Sequence, residues 1–408
     1  MRIGLFSDTY PPYVNGVSTS VLALQRALEK EGHEVFIVTV NSENMHFKYE
    51  NHNKIILIPG IPIKKIYDYR LTGFYPFQAI NKIKAWKLDI IHSHTEFGVG
   101  TFARIIAKQL QIPIIHTYHT MYEDYTHYIT RGYFDGTSKT IVKYLTKFYC
   151  DTTVQELIVP TKKAYDLFKD KYRYRRNVHI IPTGIDTEKF NDENCNKSEL
   201  AALRDKYHVS PNDFTILYVG RLAKEKSVDV LLRVFAKLIE NGMKCKLMII
   251  GDGPDRDHFK AMADELNISG HVTFTGKVPL SKIPNYYHMA SVFVTPSRSE
   301  TQGLTVVEAM AASVPVIAAD DDAFRDIVID GLNGYLFNTE DECCEQIKSL
   351  MTAPDKLTDM SEHAKLSAEK HSSKNFALHV LEIYTTALKE FKRTSLLKRM
   401  KKIFGKRK

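Results

Sequence analysis

The chain reads as an α/β protein built from two doubly wound parallel-sheet domains. Short apolar runs rich in β-branched residues alternate with longer helical stretches. The alternation lapses across a polar stretch near the middle and then restarts with the same rhythm. At 408 residues the chain is also too long for one ordinary core.

In the first half, residues 3–6, 35–40, 55–58, 89–92 and 113–117 read as strands. Between the first two, residues 17–31 set Val17, Val21, Leu24 and Leu28 at helical spacing. In the second half, residues 214–220, 246–250, 272–275, 291–295 and 314–318 repeat the strand pattern. Residues 191–213 are polar, rich in Asn, Asp and Ser, and carry Pro211, which predicts a linker. The expected division is a first domain over 1–190, that linker, a second domain over 214–375, a C-terminal helix over 376–390 and a tail over 391–408. Ligands of doubly wound sheets bind beyond the carboxyl ends of the strands, so the expectation is two Rossmann-like domains facing across a cleft.

Composition narrows the class. Hydrophobic residues at 44 % and charged residues at 25 % exclude a disordered chain. The cysteines Cys150, Cys195, Cys245, Cys343 and Cys344 are scattered and lack metal-ligand spacing, which suits a reducing compartment and speaks against a disulfide framework. The start, Met1-Arg-Ile-Gly-Leu-Phe, reads as a first strand and not as a signal peptide. No apolar run approaches the ~18 residues of a membrane span. A cytoplasmic protein is expected.

The net charge of +8 is local. Residues 391–408 contain nine basic side chains and no acid, and the remainder is close to neutral. Leu396, Leu397, Met400, Ile403 and Phe404 share one helical face, flanked by Lys398, Arg399, Lys401 and Lys402. A basic amphipathic helix predicts an anionic membrane surface as partner, here the inner face of the cell membrane. Nucleic acid is not expected, because the apolar stripe gains nothing on a phosphate backbone and no nucleic-acid fold is evident. A disordered basic end is the remaining alternative. Residues 61–76, with Lys64, Lys65, Arg70 and several aromatics, are a second membrane-facing candidate.

Two motifs carry chemistry. Gly220-Arg-Leu-Ala-Lys-Glu-Lys226 follows a strand, with Arg221 at its carboxyl end and Lys226 expected to enter the next helix. Two cations at such a turn suit a diphosphate. Ser299-Glu300-Thr-Gln-Gly-Leu-Thr-Val-Val-Glu308 also follows a strand. There Gly303 permits a tight turn, and a helix is expected to start near Leu304 with its N–H groups toward an anionic leaving group. Glu300 can accept hydrogen bonds from sugar hydroxyls, and Glu308, about one turn into the helix, from a ribose diol.

These residues resemble glycosyltransferase family 4, retaining enzymes of two Rossmann-like domains. Glu300 and Glu308, with seven residues between them, match that family's acidic signature, and residues 220–226 match its diphosphate turn. The resemblance implies Glu300 at the donor sugar, Glu308 at the ribose, and Arg221 and Lys226 at the diphosphate. It adds Thr301, Gln302, Gly303 and Leu304 to the donor loop, Val278 to the base and Gly16 to the diphosphate. His119, after the strand at 113–117, is implied to face the sugar. The stretch from Ile115 to Tyr128, with Glu123, Asp124 and His127, resembles bacterial diacylglycerol glucosyltransferases. That implies UDP-glucose as donor, a membrane lipid, 1,2-diacylglycerol, as acceptor, and no cofactor. Transferases using soluble or polyprenol-linked acceptors, and a non-catalytic nucleotide-sugar-binding protein, stay open. An oxidoreductase loses its main support, because neither Pro11–Gly16 nor Gly251-Asp-Gly253-Pro254 supplies G-x-G-x-x-G.

Two signals read as structural. Asp320-Asp-Asp322 precedes a helix and suits its N-terminus. His92-Ser-His94 lacks a third ligand for a metal. No metal site is expected.

Overall fold

The computed structural model describes residues 1–13, 15–62, 70–73, 75–96, 98–119, 154–300 and 302–404; the side chains of Leu71 and of residues beyond 394 lie outside that description. The chain forms two compact units, Met1–Gly184 with Ser373–Lys408, and Ile185–Ser372.

The first unit contains β1 (Arg2–Phe6), β2 (Glu34–Val40), β3 (Lys48–Glu50), β4 (Ile55–Ile58), β5 (Ile61–Pro62), β6 (Arg70–Leu71), β7 (Ile90–Ser93), β8 (Ile114–Thr117), β9 (Glu156–Val159) and β10 (Val178–Ile180). Among the described residues, eight of these form one sheet in the order β10-β9-β8-β7-β1-β2-β4-β3. All pairings in it are parallel except β3 with β4, at the edge. The central strands are covered on both faces, which is why they read as continuous apolar runs instead of alternating ones. Ile3, Leu5 and Phe6 are all fully buried. The helix Gly16–Lys30 turns Val21, Leu24 and Leu28 into this core, and Asn15 caps it by accepting from the Ser18 N–H.

The second unit contains β11 (Phe214–Val219), β12 (Cys245–Ile250), β13 (Val272–Gly276), β14 (Val292–Thr295), β15 (Val316–Ala319) and β16 (Gly334–Phe337). Its order, β13-β12-β11-β14-β15-β16, reverses direction between β11 and β14. In the first unit the corresponding reversal falls between β7 and β1. Chain segments leaving the carboxyl ends beside such a reversal diverge and leave a crevice. The motifs picked from sequence leave β1, β8, β11 and β14, at or next to those reversals.

The expected fold class is the observed one, and the expected strands appear within one or two residues of their positions. The boundaries differ. Residues 191–213 are not a free linker: they include the helix Lys197–Lys206, and Leu200, Leu203, Tyr207 and Val209 pack into the second unit. Burial of that apolar face outweighs the polar composition that suggested a linker. The chain passes from one unit to the other at Gly184 and Ile185. The C-terminal helix and the tail are also one element, Ser373–Phe404. Its first turns belong to the first unit, where Phe376, Ala377, Val380, Tyr384 and Ala387 join Ile3, Leu5 and Leu24 in one core. The tail side chains Leu396, Leu397, Met400, Ile403 and Phe404 lie outside the described ones. Among the described residues no helix is long and apolar enough to cross a membrane. Cys195, Cys245, Cys343 and Cys344 are free thiols.

Candidate active site

In the second unit, the ends of β11 and β14 are tied together. The Ser299 hydroxyl donates to the Glu225 carbonyl at 2.9 Å, and Lys226 Nζ donates to Glu300 Oε1 at 2.6 Å. The Lys226–Glu300 pair is mostly shielded, with side-chain exposures of 15 % and 24 %. Lys226 does not enter the following helix as expected. It ends a 3-10 turn, Lys224–Lys226, and Ser227 in a left-handed conformation separates it from the helix Val228–Glu240. Arg221 is more exposed, at 45 %, with Glu225 4.0 Å away.

Packing requires glycine at Gly251 and at Gly303. At Gly251, φ is +135° and an added Cβ would stand 1.8 Å from the Gly220 carbonyl oxygen, so the ends of β11 and β12 meet only without a side chain there. At Gly303, φ is +71° and an added Cβ would stand 2.3 Å from the Phe324 ring. Gly303 starts the helix Leu304–Ala311, and among the described residues no side-chain cap bond is made at its N-terminus. Apolar Val306, Val307, Ala309 and Met310 bury the inner face of that helix. Gln302 is buried beside it, Leu304 is half-buried, and Thr301 lies outside the described residues.

Glu308 is half-buried on this helix, and its Oε2 accepts from the Tyr287 hydroxyl at 2.8 Å. Burial raises its pKa to about 7, against the opposing effect of the Tyr287 bond. Tyr287 was not legible as a site residue, because Tyr286-Tyr287 reads as core packing and is buried as such. The sign of the resulting pH dependence is definite. A carboxyl whose pKa is raised by folding stabilises the fold below its unfolded value near 4.5 and loses that contribution as pH rises through about 7. Glu308→Gln is therefore expected to melt above the wild type at pH 8, with the gap closing toward pH 5, in a thermal scan without nucleotide.

Val278 is half-buried against the core, two residues beyond Gly276, whose φ is +76°. Asp320, Asp321 and Asp322 are occupied structurally. Arg325 donates to Asp320 and Asp322, both at 2.7 Å, and Asp321 caps the helix Asp322–Arg325. Among the described residues no three His, Cys, Asp or Glu side chains are grouped to hold a metal ion.

In the first unit, Gly16 opens the helix Gly16–Lys30, is exposed, and has nothing within 4 Å of where a Cβ would be. The fold itself does not demand glycine there. His119 follows β8, half-buried, with Nε2 at 3.0 Å from His94 Nδ1. Two residues earlier on β7, His92 is held by the Tyr384 hydroxyl at 2.8 Å and the Thr117 hydroxyl at 2.7 Å. His116 bonds Glu96 at 2.9 Å and Ser93 at 2.8 Å. Burial holds all four imidazoles neutral: His92 and His94 are pushed well below the usual range, His116 below it, and His119 down to about 4. Neighbouring histidines add to the shift at His92, His94 and His119. His119 at neutral pH is thus a hydrogen-bonding imidazole and not a cation. The sequence reading left the His92–His94 pair without a role; Tyr384, Glu96 and Thr117 were not singled out, since only the folded sheet brings them to it. Glu123, Asp124 and His127 lie outside the described residues.

The second unit thus holds two glycine-punctuated strand-to-helix turns with carboxylates beside cations, and the first unit holds a shielded imidazole after β8. Family models agree along the chain: residues 14–189 match Glycosyltransferase Family 4, and residues 201–367 match Glycosyl transferases group 1. The chain is 38 % identical to an alpha-monoglucosyldiacylglycerol synthase of Streptococcus pneumoniae, over 95 % of this chain and 86 % of that protein. It is 35 % identical to the Acholeplasma laidlawii enzyme of the same name, over 94 % and 96 %. Its fold superposes on sucrose-phosphate synthase from Thermosynechococcus elongatus with a TM-score of 0.73 at 19 % identity, covering 94 % and 98 %. The chain belongs to glycosyltransferase family 4. It is an enzyme that transfers a sugar.

Proposed function

We propose that the enzyme transfers glucose from UDP-glucose to 1,2-diacylglycerol at an anionic membrane surface on the inner face of the cell membrane, with retention of configuration and without a metal or other cofactor. The observation that carries this is the identity of 35–38 % across nearly the whole of two alpha-monoglucosyldiacylglycerol synthases. In this reading Arg221 and Lys226 neutralise the diphosphate, and the helix N-terminus at Gly303 and Leu304 adds its N–H groups. Gly16 brings backbone N–H groups to the same anion. Glu308 accepts from the ribose diol, Val278 lies beside the base, and Thr301 and Gln302 complete the donor loop. Glu300 and His119 hold the sugar.

The acceptor hydroxyl attacks the anomeric carbon on the face that UDP leaves. The carbon–oxygen bond to phosphate breaks as the new glycosidic bond forms, and a donor phosphate oxygen takes the hydroxyl proton. The protein contributes charge stabilisation on UDP and orientation of the sugar. The tail anchors the enzyme, with about 1 kcal/mol from each Lys or Arg near an anionic surface and burial of the apolar face added to that.

The test incubates the full chain with UDP-glucose and vesicles of diacylglycerol in anionic phospholipid, with products identified by mass spectrometry and the anomer by NMR. An α-glucosyl lipid is expected, unchanged by excess EDTA. Deleting residues 391–408 is expected to reduce vesicle cosedimentation and turnover while UDP affinity stays unchanged. Transfer to a water-soluble acceptor in preference to diacylglycerol would overturn the acceptor, and full cosedimentation of the deletion would overturn the anchor.

A further inference from the structure

Four histidines converge in the first unit, and the proposed chemistry uses one of them. His94, at the end of β7, is 1 % exposed. Its ring lies against His92 with centroids 4.0 Å apart and against His119 with centroids 5.3 Å apart, the latter pair stacked at 23°. His92 is itself immobilised through both nitrogens, by Tyr384 from the C-terminal helix and by Thr117 from β8. The stack therefore rests on a fully buried tyrosine and ends at the half-buried His119.

The protons in this stack follow from counting donors. A neutral imidazole has one donor and one acceptor nitrogen. His94 Nδ1 and His119 Nε2 lie 3.0 Å apart, so one donates and the other accepts. The buried Nε2 of His94 has no hydrogen-bond partner among the described residues. If His119 donated, His94 would carry its proton on that Nε2, leaving a buried N–H without an acceptor. Orphaned buried N–H groups are the rarer kind of unsatisfied polar group in folded proteins. If His94 donates, only a bare ring lone pair is left there, and the His119 proton sits on Nδ1.

We propose that His94 is a positioning residue for the transfer reaction: its Nδ1–H donates to His119 Nε2, holding the His119 ring in place with its own N–H on Nδ1, ready to donate to a sugar hydroxyl oxygen. This rests on the reading of His119 as the donor-sugar contact. The His92-Ser-His94 pair then has a role that needs no metal. His92 packs behind His94, and Tyr384 behind His92.

The test uses the full chain with histidine labelled in nitrogen-15, and turnover measured with UDP-glucose and diacylglycerol vesicles. The wild-type spectrum is expected to show neutral His119 protonated at Nδ1. His94→Ala is expected to mix the His119 tautomers and to lower kcat about tenfold, the scale of losing a supporting hydrogen-bond partner, with KM for UDP-glucose within about twofold. His94→Asn sets an amide N–H where Nδ1 stood and is expected to recover most of kcat. A His119 proton on Nε2, or wild-type kcat in His94→Ala, overturns the inference. Should His94→Ala fail to fold, the wild-type spectrum and His94→Asn decide it. Full turnover in His119→Ala would instead remove the reading of His119. An inactive His119→Ala beside a fully active His94→Ala removes only the role of His94.

Discussion

Lys226→Ala and Glu300→Gln are each expected to lower sugar transfer by at least about a hundredfold, the scale of losing one preorganised electrostatic group at a charge-developing centre. The two side chains meet at 2.6 Å, largely out of water. In the proposed site Lys226 must share or exchange Glu300 for a phosphate oxygen, and Glu300 must turn to the sugar. Each substitution thus removes a donor contact and also strips the partner residue of its counter-charge. For that reason the double variant is expected to lose less than the product of the two single losses, since residues acting as a unit are non-additive. Stability is expected to fall in each single variant, because removing one partner of a shielded ion pair leaves the other without its counterpart out of water. A steady-state assay beside a thermal melt checks both parts. Near-normal turnover in either single variant, correctly folded, would exclude the site.

The second large effect is acid lability of the first unit. His92, His94, His116 and His119 are all held below the ordinary histidine value by burial. A base with a depressed folded pKa contributes stability above its unfolded value, near 6.5, and loses it as pH falls, because the unfolded chain then binds protons that the fold refuses. Each such group therefore withdraws stability from the first unit as pH falls through that value, and the four act in the same direction. Asp8, pushed up by burial, acts in the opposite direction and gains stability as pH falls. One group against four leaves the histidines dominant. The chain has a single tryptophan, Trp86, buried in the first unit against Phe36, so its fluorescence reports on that unit. Urea titrations followed at Trp86 are expected to show the midpoint falling steeply from pH 7.5 to 5.5. A midpoint independent of pH over that range would mean the histidines are charged in the fold.

The fold class and most strands were legible from sequence because a parallel sheet covered on both faces demands uninterrupted apolar runs, and those runs are local. β9 escaped notice because it begins with Glu156, a fully buried carboxylate that reads as a surface residue. β16, Gly334–Phe337, is four residues long and only half-buried at its centre. The domain boundary was misplaced because polar composition is local while burial is not. Leu200, Leu203 and Tyr207 look isolated among charged neighbours until the second unit supplies the surface they pack on.

For the candidate site, the sequence by itself determined the strand-to-helix turns, the carboxylates Glu300 and Glu308 at their spacing, the cations Arg221 and Lys226, and a histidine after the fifth expected strand. Each of these is a short-range pattern whose chemistry survives without coordinates. Tertiary structure alone decided the partners. Lys226 meets Glu300 across 74 positions, Tyr287 meets Glu308 across 21, and Tyr384 reaches His92 across 292. No local pattern records these contacts, because sheet pairing and the return of the C-terminal helix create them. The protonation states follow the same rule: the histidines are neutral and Glu308 titrates near 7 only because the fold takes those side chains out of water.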